Sequence, residues 1–285
     1  MKFFLLLLVF GLPWLGWAQY QPWKNIEPGV YQFRGLLPPI RNTFLVDDEK
    51  DGFFLINTPY NSADQAAMIN SIRTDFPQKK LKGIFILEHD YASAAGAFLV
   101  TSALGKVPVY SHHNLTFSEE EKFEYLGKNP KNLEAGKISS IITSTANFPF
   151  LGGQMQWKNL GTSYHFMLLQ PSGTMVCPSQ WLETPYSVNP QWKYKSMVSD
   201  YGLLLSQNPS RIFGAIKEVA YPKFQLWEIL NNWERWLADY EYRVRSKMNF
   251  EEFRKSMNQR KAVFPWVPTD EKSLEILWKT ALSTS

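Results

Sequence analysis

The chain has 285 residues, 45% of them apolar and 20% charged, with a formal net charge of +4. That balance excludes an intrinsically disordered chain, and so small a basic excess does not imply nucleic acid or an acidic membrane surface as a partner. The length suits one sandwich domain with a well-filled core, and a single cysteine, Cys177, excludes an internal disulfide.

Residues 1–18 read apart from the rest. Lys2 is followed by the apolar run FFLLLLVFGLPWLGW and a small-residue exit at Gly16 and Ala18, the pattern of a secretory signal peptide cut after Ala18. The run is short for a membrane span, so no stable span is expected after cleavage. The expected mature chain carries 29 basic and 26 acidic residues, a net +3. An exported chain without disulfides suits a bacterial periplasm better than a eukaryotic extracellular space, so the expected location is the periplasm or, failing that, the secreted fraction.

Alternating apolar runs and amphipathic segments then give an α/β reading. Strands are expected at Pro28–Gly35, Asn42–Val46 and Gly52–Thr58, a helix at Ser62–Asp75, a strand at Leu81–Leu87, a helix at Tyr91–Leu104 and a strand at Val107–Tyr110. A polar, lysine-rich stretch runs from Ser118 to Lys137. Strands recur at Ile138–Thr143, Gln154–Trp157, Tyr164–Gln170 and Thr174–Cys177, with a helix near Lys193–Ser206 and a strand from Arg211. Beyond Lys223, Leu226, Ile229, Leu230, Trp233, Trp236, Leu237, Tyr240 and Val244 fall at helical spacing on one face. Shorter helices near Phe250–Met257 and Asp270–Leu282 close the chain. The expected organisation is a signal peptide at 1–18, a sandwich domain at 19–222 and helices at 223–285 packed on that same domain.

Chemistry-bearing motifs are sparse. There is no G-x-S-x-G elbow, glycine-rich phosphate loop or Cys-x-x-Cys pair, so serine hydrolase, nucleotide-binding and thiol-redox readings lack support. Cys177 lies on an expected core strand with no His or Asp near it in sequence, which reads as a buried, inert thiol.

The stretch GIFILEHDYASAAGAF, residues 83 to 98, reads as a strand, a sharp loop and a helix start. It resembles the signature of the metallo-β-lactamase superfamily, in which a strand delivers a T-H-x-H-x-D-H-x-G-G loop. Setting His89 on the first motif histidine puts Tyr91 at the second, Ser93 at the aspartate, Ala94 at the third histidine, and Gly96 with Ala97 at the glycine pair. Upstream, GFFLINTP resembles the strand that usually ends L-I-D-T-G, with Asn57 for the Asp and Pro59 for the Gly. Downstream, LGTSYHFMLLQPSGTMVCPSQW resembles the G-H-T-x-G turn and F-x-G-D strand end, so Thr162 replaces a zinc histidine and Ser179 the bridging aspartate. RIFGAIKE resembles the strand that usually ends G-H-G, with Ala215 at the last histidine.

The resemblance covers residues 25 to 220 and implies an αβ/βα four-layer sandwich with a C-terminal helical layer. In that family two zinc ions would sit at the ends of these strands. Catalytic zinc needs three protein ligands and a water, and one motif histidine cannot supply them. His89 alone reads as a hydrogen-bonded structural histidine. The losses are also coupled: carboxylates kept at 93 and 179 without metal would be costly in a partly buried pocket, and both positions are Ser.

The expectation is therefore an exported member with a degenerate dinuclear site, no cofactor and no confident catalytic residue. It would be a non-catalytic binding or accessory protein, with a small molecule or a protein as partner in a neutral, partly apolar cleft. The alternative is a superfamily hydrolase whose zinc site has been rebuilt around His89, His112 and His165.

Overall fold

The computed structural model describes residues 22–37, 40–87, 91–111, 140–142, 146–160, 164–177, 202–214, 219–246, 248–260 and positions 271, 272, 274, 275, 278 and 279. Four strands open it, each antiparallel to the one before: β1 (Trp23–Glu27), β2 (Val30–Arg34), β3 (Asn42–Asp47) and β4 (Gly52–Ile56). Helix α1 (Ser62–Asp75) crosses over to β5 (Lys80–Phe85), parallel to β4, and α2 (Tyr91–Leu104) crosses to β6 (Val109–Ser111), parallel to β5. With β7 (Ser140–Ile141) these strands form a seven-stranded sheet in chain order.

A second, six-stranded sheet also follows chain order: β8 (Ala146–Phe150), β9 (Gly153–Leu160), β10 (Tyr164–Gln170), β11 (Thr174–Val176), β12 (Arg211–Phe213) and β13 (Tyr221–Pro222). Only its β11–β12 pair is parallel. Helices α3 (Lys223–Arg245) and α4 (Phe250–Arg260) follow.

Alternation along the strands builds two cores, because successive side chains leave opposite faces of a strand. Leu45, Phe53, Leu55, Ile84 and Ile86 turn outward and pack with Met68, Ile72, Ala97 and Val100 of the two crossover helices. Phe44, Val46, Ile56, Phe85 and Leu87 turn inward onto Met155, Trp157, Met167, Leu169, Val176 and Phe213 of the second sheet. The opposite face of that second sheet is also buried, through Phe166, Leu168, Met175, Cys177 and Ile212. The runs in β3 to β5 are apolar on both faces for this reason, as expected of strands sandwiched between layers.

The crossover helices match the sequence reading at both ends. Asn61 caps α1 by accepting the Asp64 amide at 2.8 Å, and Asp64 places a carboxylate in the first turn. Other expectations shift. The strand expected at 81–87 forms over 80–85, that at 107–110 over 109–111, and that at 154–157 extends over 153–160. Strands β1, β8 and β13 were not expected. Of the helix expected at 193–206, residues 202–206 are described and helical, and the stretch 118–137 lies outside the described residues. On α3 Leu230 is buried, whereas Phe224, Trp227 and Tyr242 on other faces are exposed. No helix among the described residues is long and apolar enough to cross a membrane.

Candidate functional site

One end of the sandwich gathers the start of β3, the carboxyl ends of β4 and β5, the first turn of α2 and the residue after β12. Carboxyl ends of parallel strands are where open α/β sheets place their ligands. Here polar side chains take over from the apolar runs: Arg41, Asn42, Thr43, Asn57, Thr58 and Ser93 are all buried. Asn42 Nδ2 donates to the Gly214 carbonyl at 3.0 Å, tying the two sheets together at this end.

Asn57 stands where the strand turns. Its φ is +57°, a region that Asn adopts more readily than most residues. Its amide donates to the Phe85 carbonyl at 2.7 Å and its Oδ1 accepts from the Leu87 amide at 2.9 Å, so the side chain extends the β4–β5 pairing beyond the strand end. Asn57 Nδ2 and Thr43 Oγ1 are buried with no hydrogen-bond partner among the described residues.

Helix α2 presses its first turns against this end. Thr58 Oγ1 donates to the Ser93 carbonyl at 3.2 Å, and a Cβ built on Gly96 would lie 2.2 Å from Thr58 Oγ1 and 2.8 Å from Gln65 Nε2. Only a residue without a side chain admits that approach, which gives the first glycine of the family pair its physical meaning here.

The dominant group is Arg41. Its side chain is 2% exposed, its Nη1 donates to Ser93 Oγ at 2.6 Å, and its guanidinium lies 5.5 Å from the centre of the Tyr60 ring. The loop that delivers it is tied down from both sides. Gly35 N donates to the Arg41 carbonyl at 3.2 Å, and the Leu37 amide and Asn61 Nδ2 both donate to Asp64 Oδ2, at 3.1 and 2.9 Å. Sequence reasoning missed Arg41, because an arginine just ahead of an apolar strand has the pattern of an ordinary solvated flank.

Of the residues singled out from sequence, Tyr91, Ser93 and Ala94 come together on the first turn of α2, all buried. His165 lies on β10 opposite Asn159 of β9. His89, His112, Thr162, Ser179 and Ala215 lie outside the described residues. Cys177 is buried, and its amide donates to the Phe213 carbonyl at 2.9 Å. A guanidinium is bonded to Ser93, so a charged group stands among the residues expected to line a neutral cavity.

That charge bears on the zinc the resemblance implies. A cation held beside a metal position disfavours a divalent ion there unless carboxylates compensate both. The α2 turn offers a phenol, a hydroxyl and a methyl group where the family motif has nitrogen and carboxylate ligands. Among the described residues no group of three or more His, Cys, Asp or Glu could hold a metal. The described residues of this end do not fit zinc.

No protein-family model matches the sequence, and no curated protein matches it. Solved structures do. A metallo-β-lactamase from Pontibacter korlensis superposes with a TM-score of 0.55 at 15% identity, over 74% of this chain and 98% of its own. The DIM-1 metallo-β-lactamase gives 0.54 at 13% identity, over 75% of this chain and 96% of its own. The inverting sec-alkylsulfatase Pisa1 from Pseudomonas sp. gives 0.66 at 11% identity over 92% of this chain, which spans 50% of the length of that enzyme. At such identities the likeness speaks for architecture alone. Two packed mixed sheets with crossover helices, and polar residues collected at the carboxyl ends of the strands, are the metallo-β-lactamase fold.

Proposed function

We propose that this chain is an exported, metal-free member of the metallo-β-lactamase superfamily that binds a small molecule or a partner protein in its former active-site cleft without hydrolysing it. The observation that carries the reading is the buried Arg41 guanidinium on Ser93, at the position aligned with the family's metal-binding aspartate. A guanidinium bonded at Ser93 puts a cation where the family has a carboxylate ligand, which disfavours a metal ion there. Tyr91, buried at the aligned second histidine, adds bulk in the same turn. A hydroxyl, a methyl and a phenol at 93, 94 and 91 can contact a ligand but do not activate water, which needs a metal or a positioned base.

The test is an assay of wild type, Tyr91→Ala and His89→Ala against β-lactam, thioester, phosphodiester and sulfate ester substrates. No turnover is expected from any of the three. Wild-type turnover that disappears in His89→Ala would overturn this reading in favour of a hydrolase rebuilt around His89, His112 and His165.

A further inference from the structure

At the opposite end of the seven-stranded sheet, the starts of β4 and β5 meet the carboxyl ends of α1 and α2 around a groove of about 450 Å³. That size falls in the range of about 300–1,000 Å³ common for small-molecule sites. Its floor is apolar: Phe53, Ile72 and Leu81 are buried beneath it, and Phe76, Ala103, Leu104 and Val107 are only partly covered. Its rim is basic, with Arg73, Lys79, Lys80 and Lys106, and no acidic residue lines it.

These cations differ in how far they are already neutralised. Lys79 is spent on an ion pair with buried Asp47. Lys80 stands 4.0 Å from Asp51, but that carboxylate is held more closely by Lys82 at 3.0 Å. Arg73 donates to the Ala103 carbonyl at 2.8 Å, a bond to a neutral group that leaves its charge uncompensated, and Lys106 is exposed. Cations near helix carboxyl ends favourably offset the helix dipoles. That accounts for one or two of them, not for an apolar floor left open between them.

We propose that this groove binds a free amphiphilic carboxylate, its short acyl chain on Phe76, Ala103, Leu104 and Val107 and its head between Arg73, Lys80 and Lys106. Both halves of the ligand are required. An acyl chain without the charge gains only the floor, and a small anion without the chain meets three solvated cations whose exposed contacts are individually weak.

The test is a calorimetric titration of the full mature chain with decanoate below its micelle range, against decanol and acetate, repeated with Lys106→Glu, Ala103→Phe and a remote Lys50→Glu control. The expected result is saturable decanoate binding, at least about fivefold weaker in Lys106→Glu and in Ala103→Phe but unchanged in Lys50→Glu, with decanol weaker and acetate silent. Lys106 and Lys50 are exposed, so those substitutions leave the fold intact. Absence of saturable binding, equal binding of acetate, or equal loss in Lys50→Glu would overturn the proposal. So would association only with anionic phospholipid vesicles.

Discussion

Replacing Arg41 by Met keeps much of the side-chain volume and removes the guanidinium. The structure sets the scale of the loss. The bond from Nη1 to Ser93 Oγ is short, at 2.6 Å, and buried, and a hydrogen bond to a charged group contributes about 1.5–3 kcal/mol. The buried guanidinium 5.5 Å from the Tyr60 ring adds about 2 kcal/mol, the value for a desolvated pair. The new thioether recovers part of this through apolar burial, and the net expectation is a loss of about 2–4 kcal/mol. For a domain of this size that corresponds to a fall in Tm of roughly 5–15 °C, read by calorimetry or by circular dichroism. Arg41→Lys should fall in between, because an ammonium keeps the charge and loses the planar fork. A melt of Arg41→Met within about 1 °C of wild type would refute the claim that the guanidinium is an integral part of this end of the sandwich.

Gly96→Ala should destabilise by about 1–3 kcal/mol, because the new methyl would meet Thr58 Oγ1 at 2.2 Å; a denaturant midpoint equal to wild type would mean that α2 can ride outward at no cost. Asn57→Ala should lose about 2–4 kcal/mol by combining a positive φ with the orphaned Leu87 amide, and unchanged hydrogen-exchange protection at Leu87 would contradict that account. Lys82 donates to Asp51 and holds its carboxyl below the ordinary 3.8, so this exposed pair is in force above pH 3.8 and fades as pH falls through the lowered value. The bond to Asp51 likewise raises Lys82 above 10.5, so the same contribution is intact below pH 10.5 and is lost as pH rises through the raised value. In Lys82→Met the Asp51 carboxyl should titrate closer to 3.8 by NMR, and an unmoved titration would place the cause elsewhere.

Much of the fold is written in local pattern. The apolar runs of β3 to β5 and the capped start of α1 are visible because burial on both faces and helix capping each leave a mark within a few residues. Strands β1, β8 and β13 leave none. WKNIE in β1 has two apolar residues in five, and its pairing with β2 is interrupted by an irregularity after Asn25. ANFPF in β8 contains Pro149, which argues against a strand unless, as here, the strand is at a sheet edge. β13 is two residues long and exists only through its pairing with β12. The candidate site divides in the same way. The turn bearing Tyr91, Ser93 and Ala94 is legible because the glycine at 96 is required by close packing on Thr58. Arg41 is not, since its meaning comes from a contact with Ser93 across 52 positions of the chain, and nothing in the residues beside it marks that reach.

Under the proposed function this fold holds no metal, and a guanidinium stands where a metal ligand would be. Elemental analysis of the purified mature chain, expressed with zinc supplied and dialysed free of loosely held ions, tests it most directly. The expected result is far less than one zinc per chain and a melting temperature indifferent to chelator, since metal stabilises a fold only where it is bound. One or two tightly held zinc ions per chain, with a drop in Tm on chelation that zinc reverses, would contradict it.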